Sequence, residues 1–426
     1  MSDVLATPAP KRARLGYIDW LRGLAVLLMI QAHSIDAWLL PEARPGRLYR
    51  TSQFLAGAPA PLFLFLAGLA LVLVITRMTE RGATHAAVVR DSLRRGAQVV
   101  GYAVAFRLLA FVTSAFTDAR SLLRADVLAC MGLSMLAWAA FVFARRRRYA
   151  WFIAVALATM TLCLLVVLLL ALALSGFADT RNLLRSDVLN CIGLSMLICA
   201  VLVFTLRGWR GRLISALLLT LAFCLLAPFA WDSLPATALP LPLYVYVSGR
   251  PPIAFFPVFP WAGYCSAGVA AGLVLVRGIE RRQEGRALRL LSGIGAALLA
   301  LGFLAELGPR VYPHEDFWHT SPAFFWMRTG TVLMLLGLAY AWQRSSLSRW
   351  PSALRQMGRT SLLIYCVHVE IAYGNVFMSW ARRKLTGGES LVGVVALTLL
   401  MLWLSLVRTN GWRLIPRRAA AAEARA

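Results

Sequence analysis

Apolar residues run in blocks of about 18 to 25 along most of the chain, separated by short stretches rich in Arg, Gly and Pro; blocks of that length suit helices crossing the roughly 30 Å hydrocarbon layer of a bilayer. Twelve such spans are predicted, at 18–40, 55–76, 97–116, 125–144, 150–175, 187–206, 212–231, 256–277, 288–307, 326–343, 360–380 and 390–408. The fold class that follows is all-α, a polytopic transmembrane helix bundle. A single membrane domain is expected over 15–410, between a polar disordered tail at 1–14 and a basic tail at 411–426.

The polar positions inside these blocks carry the chemistry. The first span holds Asp19, Arg22, His33 and Asp36 in an otherwise apolar run. Arg22 and His33 are eleven residues apart, about three turns, so they share one face roughly 16 Å apart along the axis. Asp36 joins that stripe. Ionisable groups inside a membrane helix face a bundle interior and mark a pathway or reaction site, because exposing them to lipid costs several kcal/mol.

Composition agrees. With 60% hydrophobic residues, a mean hydropathy of +0.69 and 14 Trp in 426 residues, the chain is too apolar for a soluble enzyme. The net charge of +25 does not point to nucleic acid, since the arginines sit in loops between apolar blocks rather than along one soluble face. Lys11, Arg12, Arg14, Arg77, Arg81, Arg94, Arg95, the run Arg145 to Arg148, Arg207, Arg210, Arg281, Arg282, Arg349, Arg355, Arg413 and Arg417 fall on one side of a twelve-span topology with both termini cytoplasmic. The cluster Arg382, Arg383 and Lys384 falls on the other side and breaks the bias. No small-residue cleavage site follows the first span, so no removed signal peptide is expected. Cys130, Cys163, Cys191, Cys199, Cys224, Cys265 and Cys366 all lie in predicted spans, where they read as packing residues.

A tandem repeat organises the middle of the chain. Leu122 to Leu136 (LLRADVLACMGLSML) and Leu183 to Leu197 (LLRSDVLNCIGLSML) agree at 12 of 15 positions with an offset of 61 residues. The unit, about 101–161 and again 162–222, holds two crossings and so repeats in parallel orientation, unlike inverted transporter repeats. Each copy places an Arg and an Asp where a helix enters the membrane, Arg124 with Asp126 and Arg185 with Asp187. These serve either as helix-dipole partners or as substrate contacts.

Two further polar groupings stand out. In the span at 360–380, Ser361, Tyr365, His368 and Asn375 share one face at offsets of four, seven and fourteen. His368 there either orients an acceptor or oxyanion or fixes the bundle by interhelical hydrogen bonds. The loop 309–328 gathers His314, Glu315, Asp316, Trp318 and His319, with Phe324 and Trp326 beyond. It lacks the His-Glu-x-x-His spacing, so no metal is expected; flat aromatic faces among hydrogen-bonding groups suit a carbohydrate.

Acyl transfer needs a base that removes a proton as the acceptor attacks a thioester, and imidazole suits that task. His33 fits, with Asp36 three residues on to hold its tautomer. Arg22, beside Asp19, offers a donor fork for a phosphate, or alternatively snorkels to lipid phosphates.

The opening YIDWLRGLAVLLMIQAHSIDAWL, then APLFLFLAGLAL at Ala60 to Leu71, DVLACMGLSML, FPVFPWAGYCSAGVAAG at Phe256 to Gly272 and GRTSLLIYCVHVEI at Gly358 to Ile371, resemble in order the heparan-alpha-glucosaminide N-acetyltransferase catalytic-domain family of bacterial membrane proteins. More loosely the chain is similar to the acyltransferase-3 family, which shares an Arg and a His near the first helix. The resemblance implies that acyl-CoA, with acetyl-CoA foremost, is presented from the cytoplasm of a bacterial inner membrane and that its acyl group passes to a glycan or similar envelope acceptor outside. For that reaction the residues read above supply His33, Asp36 and His368 as catalytic candidates, Arg22 and Asp19 as donor contacts, and Tyr365, Asn375, Asp126, Asp187, His314, Trp318 and His319 as candidate acceptor contacts. The chain departs from the family in having Ala32 where an acidic residue usually precedes the His, and in its extra hairpin. A transporter or flippase for a polar envelope precursor is the competing reading, with the same ionisable residues lining a permeation path.

Overall fold

A computed structural model of the chain describes residues 15–80, 188–204, 206, 208–232, 244, 246–249, 256–313, 315–374 and 378–410. Among these the protein is all-α, with helices α1 (Gly16–Trp38), α2 (Arg47–Ala56), α3 (Pro59–Glu80), α4 (Val188–Phe204), α5 (Trp209–Leu225), α6 (Ala227–Asp232), α7 (Val258–Glu280), α8 (Glu284–Glu306), α9 (Pro322–Arg344), α10 (Ala353–Arg359), α11 (Ser361–Tyr373) and α12 (Gly387–Asn410). Among the described residues six segments are long and apolar enough to cross a membrane: α1, the run Arg47–Arg77, α7, α8, α9 and α12. The spans expected at 97–116, 125–144 and 150–175, and the first repeat copy, lie outside the described residues.

The span expected at 360–380 takes a different form. Thr360 leaves helical geometry at φ −122°, ψ 24°, and Gly374 is extended at φ −68°, ψ 157°, so α11 holds only 13 residues. At 1.5 Å per residue it rises about 20 Å, short of the hydrocarbon thickness.

Helix starts follow local chemistry. Pro59 and Pro322 open α3 and α9, where the missing N–H costs nothing. The hydroxyl of Ser352 accepts a hydrogen bond from the Arg355 amide at 3.3 Å and caps α10. Thr386 and Glu389 exchange bonds ahead of α12, the Thr386 amide donating to Glu389 Oε2 at 2.8 Å and the Glu389 amide to Thr386 Oγ1 at 3.4 Å.

The described residues group into two compact units. The first lies between Ala60 and Tyr340 and is centred on α7, which is buried along most of its length. Gly68 faces the backbone of Cys265 and Gly268 that of Phe65, leaving no room for a side-chain carbon on either and bringing α3 close to α7. The second unit comprises Gly16–Pro59 and the residues from Ala341 onward.

In the second unit α1 is the axis. A β-carbon on Gly23 would overlap the carbonyl of Leu354, and one on Gly358 the carbonyl of Asp19, so α1 and α10 pack backbone to backbone. Gln356 Nε2 donates to the Ser405 carbonyl at 3.0 Å and Thr360 Oγ1 to Ser405 Oγ at 2.6 Å, which ties α10 and the start of α11 to the far end of α12. At the other end of α1 the chain pairs like a strand: the Arg383 amide donates to Ala37 O at 2.9 Å, Leu385 N to Trp38 O at 2.9 Å and Leu40 N to Leu385 O at 2.9 Å. Helix α12 therefore runs against α1.

Candidate functional site

The fixed point is a backbone carbonyl. His368 is fully buried on α11, and its Nδ1 lies 2.7 Å from the carbonyl of Ile364, one turn earlier. A carbonyl only accepts, so Nδ1 carries the proton, and in the neutral ring Nε2 keeps its lone pair. That nitrogen is 3.0 Å from Nδ1 of His33. The ring planes differ by 2°, with centroids 5.2 Å apart. His33 Nδ1–H accordingly donates to His368 Nε2, and the lone pair of His33 falls on Nε2. His33 is half-buried while His368 is sealed. The arrangement can orient one imidazole nitrogen and pass a proton between the two rings.

Asp36 lies one turn beyond His33, and its carboxylate is engaged elsewhere. Tyr373 donates to Oδ2 at 3.0 Å, Tyr49 to Oδ1 at 3.4 Å, and Arg44 Nη1 lies 3.8 Å from Oδ1 while Nη2 donates to the Asp36 carbonyl at 2.8 Å. The carboxylate read as orienting His33 thus bonds to a cluster around Tyr373, and the hydrogen-bond partner of His33 Nδ1 is His368. The edge of Tyr373 also meets the His33 ring, centroids 5.6 Å apart at 64°.

At the opposite end of α1, Asp19 is buried and Arg22 partly exposed, with Nη1 3.8 Å from Asp19 Oδ1. Tyr365 shares the His368 face as expected, its ring 5.9 Å away. Asn375, Asp126, Asp187 and His314 lie outside the described residues.

Trp318 and His319 belong to the first unit. His319 Nδ1 is 2.6 Å from Asp316 Oδ2, and its ring lies 5.6 Å from that of Trp231 at 27°. Trp318 is exposed and packs against Phe317 and Phe324. Burial, then the Glu306 carboxylate, pushes the pKa of Glu315 up against the opposing pull of Arg310. Among the described residues no three His, Cys, Asp or Glu side chains gather as a metal site.

Sequence reasoning missed Tyr373, Tyr49 and Arg44. Tyr373 falls off the Ser361–Tyr365–His368 stripe by about 120° of helical rotation and meets Asp36 only because it ends α11. Arg44 comes from the turn after α1 and Tyr49 from the short helix α2, both between the spans expected at 18–40 and 55–76.

Compared with known proteins, the chain matches the family described as heparan-alpha-glucosaminide N-acetyltransferase, catalytic, over residues 14–182 and again over 161–305. The second match begins where the second repeat copy does, near residue 162. Helices α10, α11 and α12, with His368 and Tyr373, lie beyond both matches. No curated protein matches the chain.

Proposed function

The chain belongs to the heparan-alpha-glucosaminide N-acetyltransferase catalytic family, and from that premise we propose that this integral membrane acetyltransferase takes acetyl from cytoplasmic acetyl-CoA and delivers it to a glycan or similar envelope acceptor on the outer side. In this reading both termini face the cytoplasm of a bacterial inner membrane. The observation that carries it is the fixed chain Ile364 carbonyl, His368, His33, which leaves a lone pair on His33 Nε2.

In the reaction His33 Nε2 removes the proton from the acceptor amine or hydroxyl as its heteroatom bonds to the thioester carbonyl carbon. The tetrahedral intermediate then collapses, the carbon–sulfur bond breaks, and the proton on His33 passes to the departing CoA thiolate. While His33 is cationic, its Nδ1 proton can shift to His368 Nε2, so the charge spreads over two rings, with the Ile364 carbonyl accepting from the second. Arg22, at the end of α1 that carries the N-terminus, suits a CoA phosphate, with Asp19 holding the guanidinium. Tyr365, beside His368, is positioned to contact the acceptor.

The test is purified protein in lipid discs with labelled acetyl-CoA and an amino-sugar acceptor. The reading requires thioester consumption that His33→Ala abolishes while helicity and melting behaviour persist. Intact passage of a solute without thioester cleavage would favour transport instead.

A further inference from the structure

Where α8 ends, a cavity of about 160 Å³ opens between the last residue of α5, the end of α8, the connection that follows and the start of α9. A single water needs only roughly 10–15 Å³. Glu306, Arg310 and Glu315 form the charged part of the lining, and Tyr312 and Trp326 the aromatic part. Ser321 completes it: the residue is 3% exposed, and its Oγ meets no hydrogen-bond partner. A buried hydroxyl left open in this way is rare in a folded protein and points to a ligand.

The walls are held in place. Tyr312 donates to the Leu225 carbonyl at 3.2 Å and meets Phe229 edge-on, centroids 5.4 Å apart at 84°. The Asp316 carbonyl accepts from the amides of Thr320 at 2.8 Å and Ser321 at 3.0 Å, which fixes the turn carrying Ser321. Electrostatics favours a cation: burial, then the Glu306 carboxylate, raises the pKa of Glu315, with Arg310 and the Ser321 hydroxyl pulling the other way. The two acids repel each other, and an ammonium between them relieves that repulsion. Position identifies its source. Helix α8 has 23 residues and rises about 35 Å, enough to cross the hydrocarbon, so Glu306 at its end stands at headgroup level, where Tyr and Trp also gather. Ile294, Leu301 and Leu304 expose one face of α8 below the cavity, and Leu218, Leu221 and Leu225 one face of α5. A soluble amine would answer the carboxylates alone. A lipid whose headgroup joins an ammonium to a phosphate also answers Arg310 and both apolar faces.

We propose that this cavity binds the headgroup of an aminophospholipid, phosphatidylethanolamine, its ammonium among Glu306, Glu315 and Ser321 and against Tyr312 and Trp326, its phosphate on Arg310, and its acyl chains along α5 and α8. An ammonium donates three N–H bonds, whereas the methylated nitrogen of choline donates none and a glycerol headgroup carries no cation.

Full-length protein is released from discs holding equal amounts of phosphatidylethanolamine, phosphatidylcholine and phosphatidylglycerol, and the lipid it retains is identified by native mass spectrometry. Phosphatidylethanolamine is retained about tenfold over either competitor, as charge-assisted bonds open to its ammonium alone imply. That excess shrinks to about threefold or less in Glu306→Gln and in Ser321→Ala, each of which removes one acceptor. Glu42→Gln, at an exposed carboxylate of the other unit, keeps it. The wild type alone gives a second readout, which holds even where a substitution unfolds the protein: retention falls along the series of singly, doubly and fully N-methylated phosphatidylethanolamine. Equal retention of the three lipids, an excess indifferent to both substitutions, or retention unchanged along the methylated series overturns the proposal. Displacement of the lipid by soluble phosphoethanolamine at equal concentration assigns the cavity to a free amine and likewise overturns it.

Discussion

At the scale of the residue, the decisive contact is between two imidazoles, and it was only half legible in advance. His33 and His368 each stood out as ionisable groups in apolar surroundings, but nothing in one sequence pairs residues 335 apart. Asp36 was the nearer partner on α1 and proved to bond to Tyr373, Tyr49 and Arg44. The pairing makes a graded prediction. In His368→Leu the His33 Nδ1–H loses its acceptor, a loss of about 1–3 kcal/mol for a buried donor, and turnover falls by about 10²–10⁴-fold. In His368→Gln a side-chain oxygen can accept that bond without taking the proton, so turnover recovers in part and its pH profile shifts. Single-turnover thioester cleavage measured across pH distinguishes the two variants.

At the scale of the element, long apolar blocks announced α1, α7, α8, α9 and α12, because a membrane-length helix writes its signal over some twenty positions. The shorter pieces were less visible. The break between α10 and α11 at Thr360 comes two residues after Gly358, where Gln356 and Thr360 also bond to Ser405, contacts with no trace in the hydropathy pattern. The packing of α1 on α10 makes its own prediction. Gly23→Ala or Gly358→Ala pushes a methyl into a backbone carbonyl, so each lowers the thermal midpoint of the protein in detergent, by several degrees for a loss of about 1–3 kcal/mol. Gly388→Ala, at a position with open space around it, serves as the control and leaves the midpoint unchanged.

At the scale of the whole molecule, class and family were legible, since composition and five ordered motifs act over hundreds of residues. The all-α fold and the family membership follow those expectations. The loop 309–328 was legible only as a gathering of polar and aromatic types, and its geometry sets a pH dependence. The folded-state pKa of Glu315 is raised, chiefly by burial and next by Glu306. The native state therefore binds that proton more readily than the unfolded chain, so its contribution to stability is present at low pH and is lost as pH rises through the folded pKa. Glu315→Gln should raise the thermal midpoint slightly at neutral pH, and the gain should vanish in acid, where Glu315 is already protonated. Melting curves at both pH values check it.

The meeting of His33 with His368 also governs how the protein is made. A ribosome adding about 5–20 residues per second delivers α1 roughly 20–70 s before α11, given the 335 residues between them. Throughout that interval the nascent first helix carries His33 without its eventual hydrogen-bond acceptor, and the insertion machinery must shelter it from lipid. On the proposed mechanism, a chain that lacks α11 lacks the acceptor that orients His33, so acetyl transfer awaits the closing helices.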